Sequence, residues 1–354
     1  MDNRKKLRFN ESGKFRILMI SDLHCRNAMK EGSGLPFNPK LKIGIEALVN
    51  ETQPDFVMLG GDQCVGYGEQ YMKDVLEDVL EPVQKRGIPW AHVNGNHDNE
   101  VAMTTREQQA VYESFPLCLS QAGDEDIHGV GNYVLNVYSS KDESVAYNLF
   151  ALDSNREMSD LMELFGVQGK DNNVILPFPM GMGKGQATVL FNQIMWYYNT
   201  SLKLEKEKGA KIPAVMFMHV PTLEFGLIHR NPEECDMIGH KRESVGCSEL
   251  NSGLFFACLE RGDVKGIFCG HEHHNTYQGQ YCGITLAYDG CVGYDMSAHD
   301  DLRGGRVIDL DEQTGKFETR FISLQSLLGQ KAWRREDWFE GGDHTEYFIR
   351  NTHL

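Results

Sequence analysis

The sequence predicts an α/β fold in which short parallel strands alternate with amphipathic helices. Short apolar runs are separated by stretches in which apolar residues recur at helical spacing, and several of the runs end directly on polar residues. The chain has 354 residues, of which 41 % are apolar and 24 % are charged, as is usual for a soluble globular protein. Such alternation implies parallel strands joined by right-handed crossover helices.

The N-terminal third predicts three strands and two helices. We expect strands at 16–21, 55–60 and 88–93 and helices at 39–50 and 69–86. The helix at 69–86 has the clearest pattern, because Val75, Leu76 and Val79 fall on one face.

The remaining chain predicts a hairpin, two further helices and several strands. The hairpin strands are expected at 132–138 and 145–152, helices at 186–208 and 254–261, strands at 213–218 and 264–269, and antiparallel strands at 284–288, 306–310 and 317–323. Asn251 or Ser252 is the expected N-cap of the helix at 254–261. Segments 166–185 and 223–249 lack periodicity and predict surface loops.

The length of the chain alone suggests two or three domains, but no internal repeat or long linker divides it. Residues 1–13 are expected to form an N-terminal tail, and their basic residues Arg4, Lys5, Lys6 and Arg8 to be solvated. Residues 324–354 are expected to form a C-terminal tail that docks on the domain through its aromatic side chains.

The charge balance argues against nucleic acid or an anionic membrane as a partner. The chain has 35 Lys+Arg and 51 Asp+Glu, a formal net charge of −16, whereas binding a phosphate backbone requires clustered cations. No apolar stretch approaches the roughly 18 residues of a membrane span, and no secretory h-region occurs. The nine scattered cysteines include no Cys-x-x-Cys, which favours reduced thiols and a cytoplasmic location.

Five predicted strands end directly on residues that can bind metal. In chain order these residues are Asp22 and His24, Asp62, Asn96 with His97 and Asp98, His219, and His271 with His273. Ligands of open α/β sheets bind at the carboxyl ends of the strands, so these side chains are expected to meet in one crevice. Glycines before Asp62, Asn96 and His271 would let the backbone approach closely.

The donor types indicate a dinuclear transition-metal centre. Without His97 and Asp98, the set has two carboxylates, one amide oxygen and four histidines, which suits Zn, Mn or Fe better than Ca or Mg. Seven donors are too many for one ion, and a carboxylate can bridge two ions about 3.5–4 Å apart.

These motifs, in this order, resemble the calcineurin-like metallophosphoesterase superfamily. More narrowly, the chain is similar to the purple-acid-phosphatase-related branch of short, single-domain phosphatases, with further matching segments at 193–197, 218–221, 251–255 and 262–264. The resemblance covers residues 14 to 323, which it implies form one catalytic domain. It implies an α/β (α+β) fold, a four-layer αββα sandwich of two mixed sheets flanked by helices.

The resemblance also implies a role for each site residue. Asp22, His24 and His273 would hold the first metal, Asn96, His219 and His271 the second, and Asp62 would bridge them. His97 would act as the general acid toward the leaving group and be oriented by Asp98.

Two positions differ from purple acid phosphatases. Those enzymes have a tyrosine ligand three residues after the bridging aspartate, where this chain has Val65, and glycine where it has His24. Without a phenolate ligand a colourless protein is expected, with two Mn, Fe or Zn ions whose identity stays open.

The implied activity is hydrolysis of a phosphate ester by a hydroxide that bridges the two metals. A small phosphorylated molecule or a phosphoprotein is the expected substrate, with a monoester favoured and a diester left open. Asn96, His240 and Arg242 are the candidate substrate-binding residues, and the loops at 166–185 and 223–249 would frame the pocket. The alternatives are an inactive binding scaffold of the same fold and a nuclease of the same superfamily, which the negative charge disfavours.

Overall fold

The computed structural model describes residues 5–25, 39–64, 69–98, 103–166, 185–294 and 298–329 of the chain. Its strands are β1 Leu7–Arg8, β2 Lys14–Ile20, β3 Phe56–Leu59, β4 Trp90–His92, β5 Tyr133–Tyr138, β6 Val145–Ala151, β7 Ala214–Phe217, β8 Val264–Cys269, β9 Gln278–Tyr281, β10 Ile284–Tyr288, β11 Gly304–Asp311 and β12 Phe317–Ser323. Its α-helices are α1 Pro39–Thr52, α2 Glu69–Val79, α3 Glu81–Gln84, α4 Thr105–Glu113, α5 Met158–Leu164, α6 Phe191–Lys208, α7 Glu224–Arg230, α8 Leu254–Arg261 and α9 Leu324–Leu328.

The strands form two mixed sheets that pack face to face. The seven-stranded sheet has the order β1-β5-β6-β7-β8-β10-β9, and the five-stranded sheet the order β12-β11-β2-β3-β4. Strands β2, β3 and β4 are parallel, as are β6, β7, β8 and β10, so their carboxyl ends open on one edge of each sheet.

Strand β2 shows how the layers are held together. Ile17 and Met19 lie in the apolar core between the two sheets, whereas Leu18 and Ile20 lie in the core between the five-stranded sheet and helices α1, α2 and α4. A third core joins the seven-stranded sheet to α6, α7 and α8. Because both faces are covered, the strands are continuously apolar, and the predicted four-layer αββα sandwich is confirmed.

Three predicted elements differ from the structure for local reasons. The helix expected at 69–86 is two helices, since Pro82 lies in the first turn of α3 and cannot continue a preceding helix. The helix expected from Gln186 begins at Phe191, because Gln186 pairs with Glu157 in a β-bridge. The N-cap of α8 is Gly253, and Asn251 Oδ1 instead accepts the Gly253 N–H at 2.8 Å.

Other differences concern elements that the pattern did not reveal. The expected loop at 223–249 contains α7, whose Phe225 and Ile228 are buried. Strand β10 pairs parallel to β8 and antiparallel to β9, in the other sheet from β11 and β12. Helices α4 and α5 and strand β9 were not predicted, and most of the expected loop at 166–185 lies outside the described residues.

The two expected tails meet the body of the protein. Leu7 and Phe9 are buried and β1 pairs with β5, so this part of the N-terminal segment is not solvated, although Lys5 and Lys6 are exposed. At the other end, Leu324 of α9 packs in the core beside α1. Docking of the aromatic residues after 329 falls outside the described residues, and the domain boundaries stay a prediction. No helix in the described ranges is long and apolar enough to cross a bilayer.

A buried carboxylate fixes helix α6 to the start of β8. Asp263 accepts the Tyr197 hydroxyl at 2.5 Å, the Ser201 hydroxyl and the Val264 N–H at 2.9 Å. Arg261 in turn donates to Ser201 Oγ at 3.1 and 3.0 Å.

We expect Tyr197→Phe to lower the free energy of unfolding by about 1–3 kcal/mol, because a buried carboxylate loses one donor. Urea unfolding measures the loss. Tyr198→Phe is the matched control, since the Tyr198 ring contact with Arg261 does not need the hydroxyl, and a change below about 0.5 kcal/mol is expected there. Equal effects in both variants would contradict a role for the Asp263 network.

Candidate metal centre

The backbone is strained where the predicted ligands lie. Asp22, His24, Asp62 and His271 have positive φ angles of 54°, 43°, 55° and 76° and are half of the non-glycine residues with this conformation in the described chain. Each costs of the order of 1–3 kcal/mol, which surrounding contacts must offset. Such strain is concentrated at functional sites, so the backbone itself marks this crevice.

Hydrogen bonds continue the β2–β3 pairing past the ends of the strands. The Asp22 N–H donates to the Gly61 carbonyl and the His24 N–H to the Asp62 carbonyl, both at 2.9 Å. Gly61 is required for this approach, because a Cβ there would lie 2.2 Å from Nδ1 of His219. The first two ligand loops are therefore held in register with each other.

Three donors lie at the spacing of one ion. His273 Nε2 is 3.2 Å from Asp22 Oδ1 and 3.2 Å from His24 Nε2, and His24 Nε2 is 3.7 Å from Asp22 Oδ1. Ligands about 2.0–2.2 Å from a tetrahedral metal are separated by about 3.3–3.6 Å. These three residues can hold a metal together.

A second group adjoins the first. Asp62 Oδ2 is 3.2 Å from His219 Nε2 and 3.5 Å from His24 Nε2, which places this oxygen between the two groups. His219 Nε2 is also 4.0 Å from Asp22 Oδ1, so Asp22, Asp62 and His219 form the second candidate set. The His271 ring centroid is 5.2 Å from that of His219, and its Nε2 lies 3.8 Å from Glu272 Oε1.

Four of the predicted ligands carry a buried polar atom without a hydrogen-bond partner. In the described structure Asp22 Oδ1, Asp62 Oδ2, Asn96 Oδ1 and His219 Nε2 are buried and make no hydrogen bond. Buried polar atoms are rarely left unsatisfied. All four atoms belong to predicted ligands, so the donor set fits metal cations.

The hydrogen bonds and charges prepare the side chains as ligands. The Nδ1–H of His219 donates to the Gly60 carbonyl at 2.8 Å, which leaves the Nε2 lone pair for a metal. Burial lowers the pKa of His24, and it lowers that of His271 to about 3, so both rings are neutral. Against the effect of burial, His219 holds the pKa of Asp62 below its usual range, while Asp62 raises the pKa of His219 to about 10. A metal cation bound between Asp62 and His219 would replace the proton that this raised pKa places on the His219 ring.

The structure gives Asp98 a role in holding two loops together. Its Oδ2 accepts the N–H groups of Asp62 and Gly95 at 2.9 and 2.7 Å, and its Oδ1 those of Gln63 and Cys64 at 2.8 and 3.2 Å. Burial, with the nearby Asp62, raises the pKa of Asp98 to about 7, whereas the four donors favour the ionised form. Its predicted role in orienting the His97 ring stays a prediction.

His97 lies beside the two candidate sets. Its backbone N–H donates to Asp62 Oδ1 at 2.8 Å, and its ring centroid is 5.4 Å from that of His24. The side chain is half-buried, so its ring borders both the crevice and solvent.

The predicted substrate-binding residues lie at the rim. His240 and Arg242 are exposed, and Arg242 N donates to the His274 carbonyl at 3.1 Å, one residue beyond His273. The Arg242 guanidinium binds both oxygens of Asp301, at 2.9 and 2.7 Å, so its charge is already shared. Substrate contacts by these residues and by Asn96 stay predictions.

Sequence reasoning missed one loop of the site. After β6, Ser154 Oγ accepts the N–H of Val220, which follows His219, at 2.9 Å. Its neighbour Asp153 accepts the Val130 N–H at 2.9 Å, and the Val130 carbonyl accepts Nδ2 of Asn94 at 2.8 Å. This loop supports both the His219 and Asn96 segments. The polar run 153–155 directly after an apolar strand was the available signal.

The fold and the donor set together define a class of protein, the metal-dependent hydrolases with a two-sheet core and Asp, His and Asn ligands at the strand ends. The family model of the calcineurin-like phosphoesterases matches residues 15–275, and the chain belongs to that family. Membership implies a dinuclear divalent metal centre. It confirms the superfamily inferred from the motifs.

Some of the similar proteins are named as phosphatases and others as probable inactive phosphatases. The chain is 27 % identical over 94 % of its length to "Probable inactive purple acid phosphatase 29" of Arabidopsis thaliana, covering 85 % of that protein. It is 28 % identical over 77 % of its length to "Phosphatase DCR2" of Saccharomyces cerevisiae, covering 46 % of it. A crystal structure of a dimetal phosphatase from Danio rerio matches 87 % of this chain and 99 % of that one, with a TM-score of 0.54 and 13 % identity, which supports the fold.

Proposed function

We propose that the protein is an active dinuclear metal phosphoesterase that hydrolyses phosphate monoesters. The observation that carries this proposal is a set of four buried atoms that can bind metal and have no hydrogen-bond partner. They belong to Asp22, Asp62, Asn96 and His219. Asp22, His24 and His273 would hold one ion, and Asn96, His219 and His271 the other, with Asp62 shared. When bound, two such ions would activate a water molecule and neutralise charge on the phosphate oxygens.

The charges of the chain explain why cations are needed. The ionised carboxylates of Asp22 and Asp62 and a net charge of −16 repel a phosphate anion. Two divalent ions would make the net charge inside the crevice positive, and the low dielectric there would strengthen their attraction for the phosphate anion.

His97 is proposed as the general acid. Its ring borders the crevice, while its backbone N–H holds Asp62 Oδ1, so the residue is fixed beside the site of reaction. As an imidazolium it would give its proton to the departing alkoxide oxygen, and such proton transfer contributes typically 10²–10⁴-fold. A small phosphorylated molecule or a phosphoprotein is the proposed substrate, with no nucleic acid or membrane partner, in the cytoplasm.

A turnover assay tests the proposal directly. The full chain is stripped with EDTA, reconstituted with Mn, Zn or Fe, and assayed on p-nitrophenyl phosphate, nucleotides, sugar phosphates, phosphopeptides and cyclic diesters. We expect metal-dependent hydrolysis, with two equivalents of metal by elemental analysis and a colourless protein.

The second candidate is a catalytically inactive scaffold of the same fold. The relatives named probable inactive favour it. The retention of every predicted ligand and of His97 in this chain argues against it. A chain that binds no metal and shows no turnover after reconstitution would establish the scaffold.

Metal binding should also stabilise the fold. At a Mn²⁺ concentration about 100 times its Kd, the free energy of unfolding is expected to rise by about 2.7 kcal/mol, because the ion binds only the folded chain. Thermal unfolding with Mn²⁺ and with EDTA measures this. Mg²⁺ at equal concentration is the control, and a smaller shift is expected since the site is rich in nitrogen donors. Superimposable curves in Mn²⁺ and EDTA would contradict a built metal site.

A further inference from the structure

A second buried carboxylate lies behind the first ligand. Ser21 Oγ hydrogen-bonds to Asp22 Oδ2 and lies 2.7 Å from Asp289 Oδ1 and 3.2 Å from the Gly290 carbonyl. All three side chains are at least 99 % buried. Asp289 has no place in the mechanism above and was not singled out by the motifs.

The single hydroxyl proton cannot serve two carboxylates. Asp22 Oδ2 accepts from Ser21 and from the His271 N–H at 3.1 Å, and its Oδ1 faces His24 and His273. If Ser21 donates to Asp22, then the short contact with Asp289 requires a proton on the Asp289 carboxyl. Two acceptors without that proton would repel each other across 2.7 Å.

The surroundings of Asp289 favour a neutral acid. Its Oδ2 is buried and has no partner in the described structure. The buried Arg306 directs its guanidinium to the carbonyls of Tyr288 and Thr276 and to the side chains of Gln278 and Thr319, and makes no hydrogen bond to Asp289. Burial, followed by the charge of Asp22, raises the pKa of Asp289 well above its usual value.

Two glycines let the ligand loops pack directly against the triad of Ser21, Asp22 and Asp289. A Cβ at Gly60 would lie 2.9 Å from Ser21 Cβ and 3.3 Å from Asp289 Oδ2, and a Cβ at Gly270 would lie 2.5 Å from Ser21 Oγ. Gly270 directly precedes His271, so the triad is enclosed by the ligand loops themselves.

We propose that Asp289 is a positioning residue, which as a neutral acid donates to Ser21 so that Ser21 donates to Asp22 Oδ2 and Asp22 Oδ1 stays available to the first metal. The inference rests on the proposed function and deepens it, because it assigns a residue that positions a ligand of the proposed metal centre. Protein groups that orient a ligand typically change metal affinity by 10–100-fold.

The test compares a variant that keeps the donor with variants that remove it. Asp289→Asn replaces the acid O–H by an amide N–H of similar shape, whereas Asp289→Ala and Ser21→Ala break the relay. Mn²⁺ affinity of the full chain is measured by titration calorimetry. We expect Asp289→Asn to stay within about threefold of wild type and the two alanine variants to bind about 10–100-fold more weakly. Ser201→Ala, which removes a buried hydroxyl from the Asp263 carboxylate, is the matched control and should not change the affinity.

Infrared difference spectroscopy supplies a readout that needs neither metal nor turnover. The wild type should show the carbonyl band of a protonated carboxylic acid that Asp289→Asn lacks. Loss of affinity in Asp289→Asn equal to that in Asp289→Ala, or absence of the band, would overturn the proposal. A wild-type chain that bound no Mn²⁺ but showed the band would instead overturn the proposed metal centre.

Discussion

Replacing Asp62 by asparagine is expected to abolish both paired metal binding and phosphatase activity. Asp62 Oδ2 lies 3.5 Å from His24 Nε2 and 3.2 Å from His219 Nε2, so this oxygen links the two donor sets, which also share Asp22. The substitution removes its negative charge and converts one of its two acceptor oxygens into a donor. Loss of one ion removes several kcal/mol of transition-state stabilisation, or about 10³-fold or more in kcat/KM.

Metal stoichiometry and steady-state kinetics on the reconstituted variant measure this effect. Asp126→Asn makes the same chemical change on the exposed surface and should leave both quantities unaltered. Thermal unfolding of the metal-free proteins shows that Asp62→Asn is folded. A variant with two bound ions and full turnover would remove Asp62 from the bridging position.

Replacing His97 by alanine is expected to keep both metals and to lower kcat by about 10²–10⁴-fold for poor leaving groups. The metals should persist because His97 supports Asp62 through its backbone N–H, which alanine retains. For p-nitrophenyl phosphate the loss should be much smaller, since p-nitrophenolate leaves without a proton.

The comparison of two substrates makes this result specific. An alkyl phosphate and p-nitrophenyl phosphate are assayed on the same reconstituted protein, and the ratio of their kcat values is the quantity of interest. His229→Ala removes an exposed imidazole of α7 and should leave the ratio unchanged. If His97→Ala instead lost metal, or slowed both substrates equally, His97 would not be the acid.

The candidate site could be predicted from sequence because each ligand directly follows an apolar strand. Parallel strands bring their carboxyl ends together, so Asp22, Asp62 and His219 could be expected to meet although they are far apart in the chain. The structure brings one ligand atom of each within 4.8 Å of the others, and His219 Nε2 lies 4.0 Å from Asp22 Oδ1 and 3.2 Å from Asp62 Oδ2. The sandwich of two mixed sheets, by contrast, was predicted only from the family resemblance.

Features that depend on tertiary contacts were not predictable in this way. The start of α6 is delayed to Phe191 because the preceding residues pair with residue 157, a contact invisible to local periodicity. Strand β10 has the same local pattern whether it joins one sheet or the other. The resemblance assigned Asp98 to the orientation of His97, which stays a prediction, but it gave no sign of the hydrogen bonds that Asp98 accepts from the backbone of Asp62, Gln63 and Cys64 in the adjacent loop.

The hydrogen bonds of Asp98 indicate one way in which a phosphatase of this fold could lose its activity. One carboxylate holds the loop of Asp62 to the loop of Asn96, through backbone N–H groups that every residue type except proline supplies. A change at this one position would let the two loops separate while every metal-binding side chain remained in the sequence. The presence of every metal ligand is therefore an incomplete guide to whether a homologue is active, and the residue that corresponds to Asp98 should be considered as well.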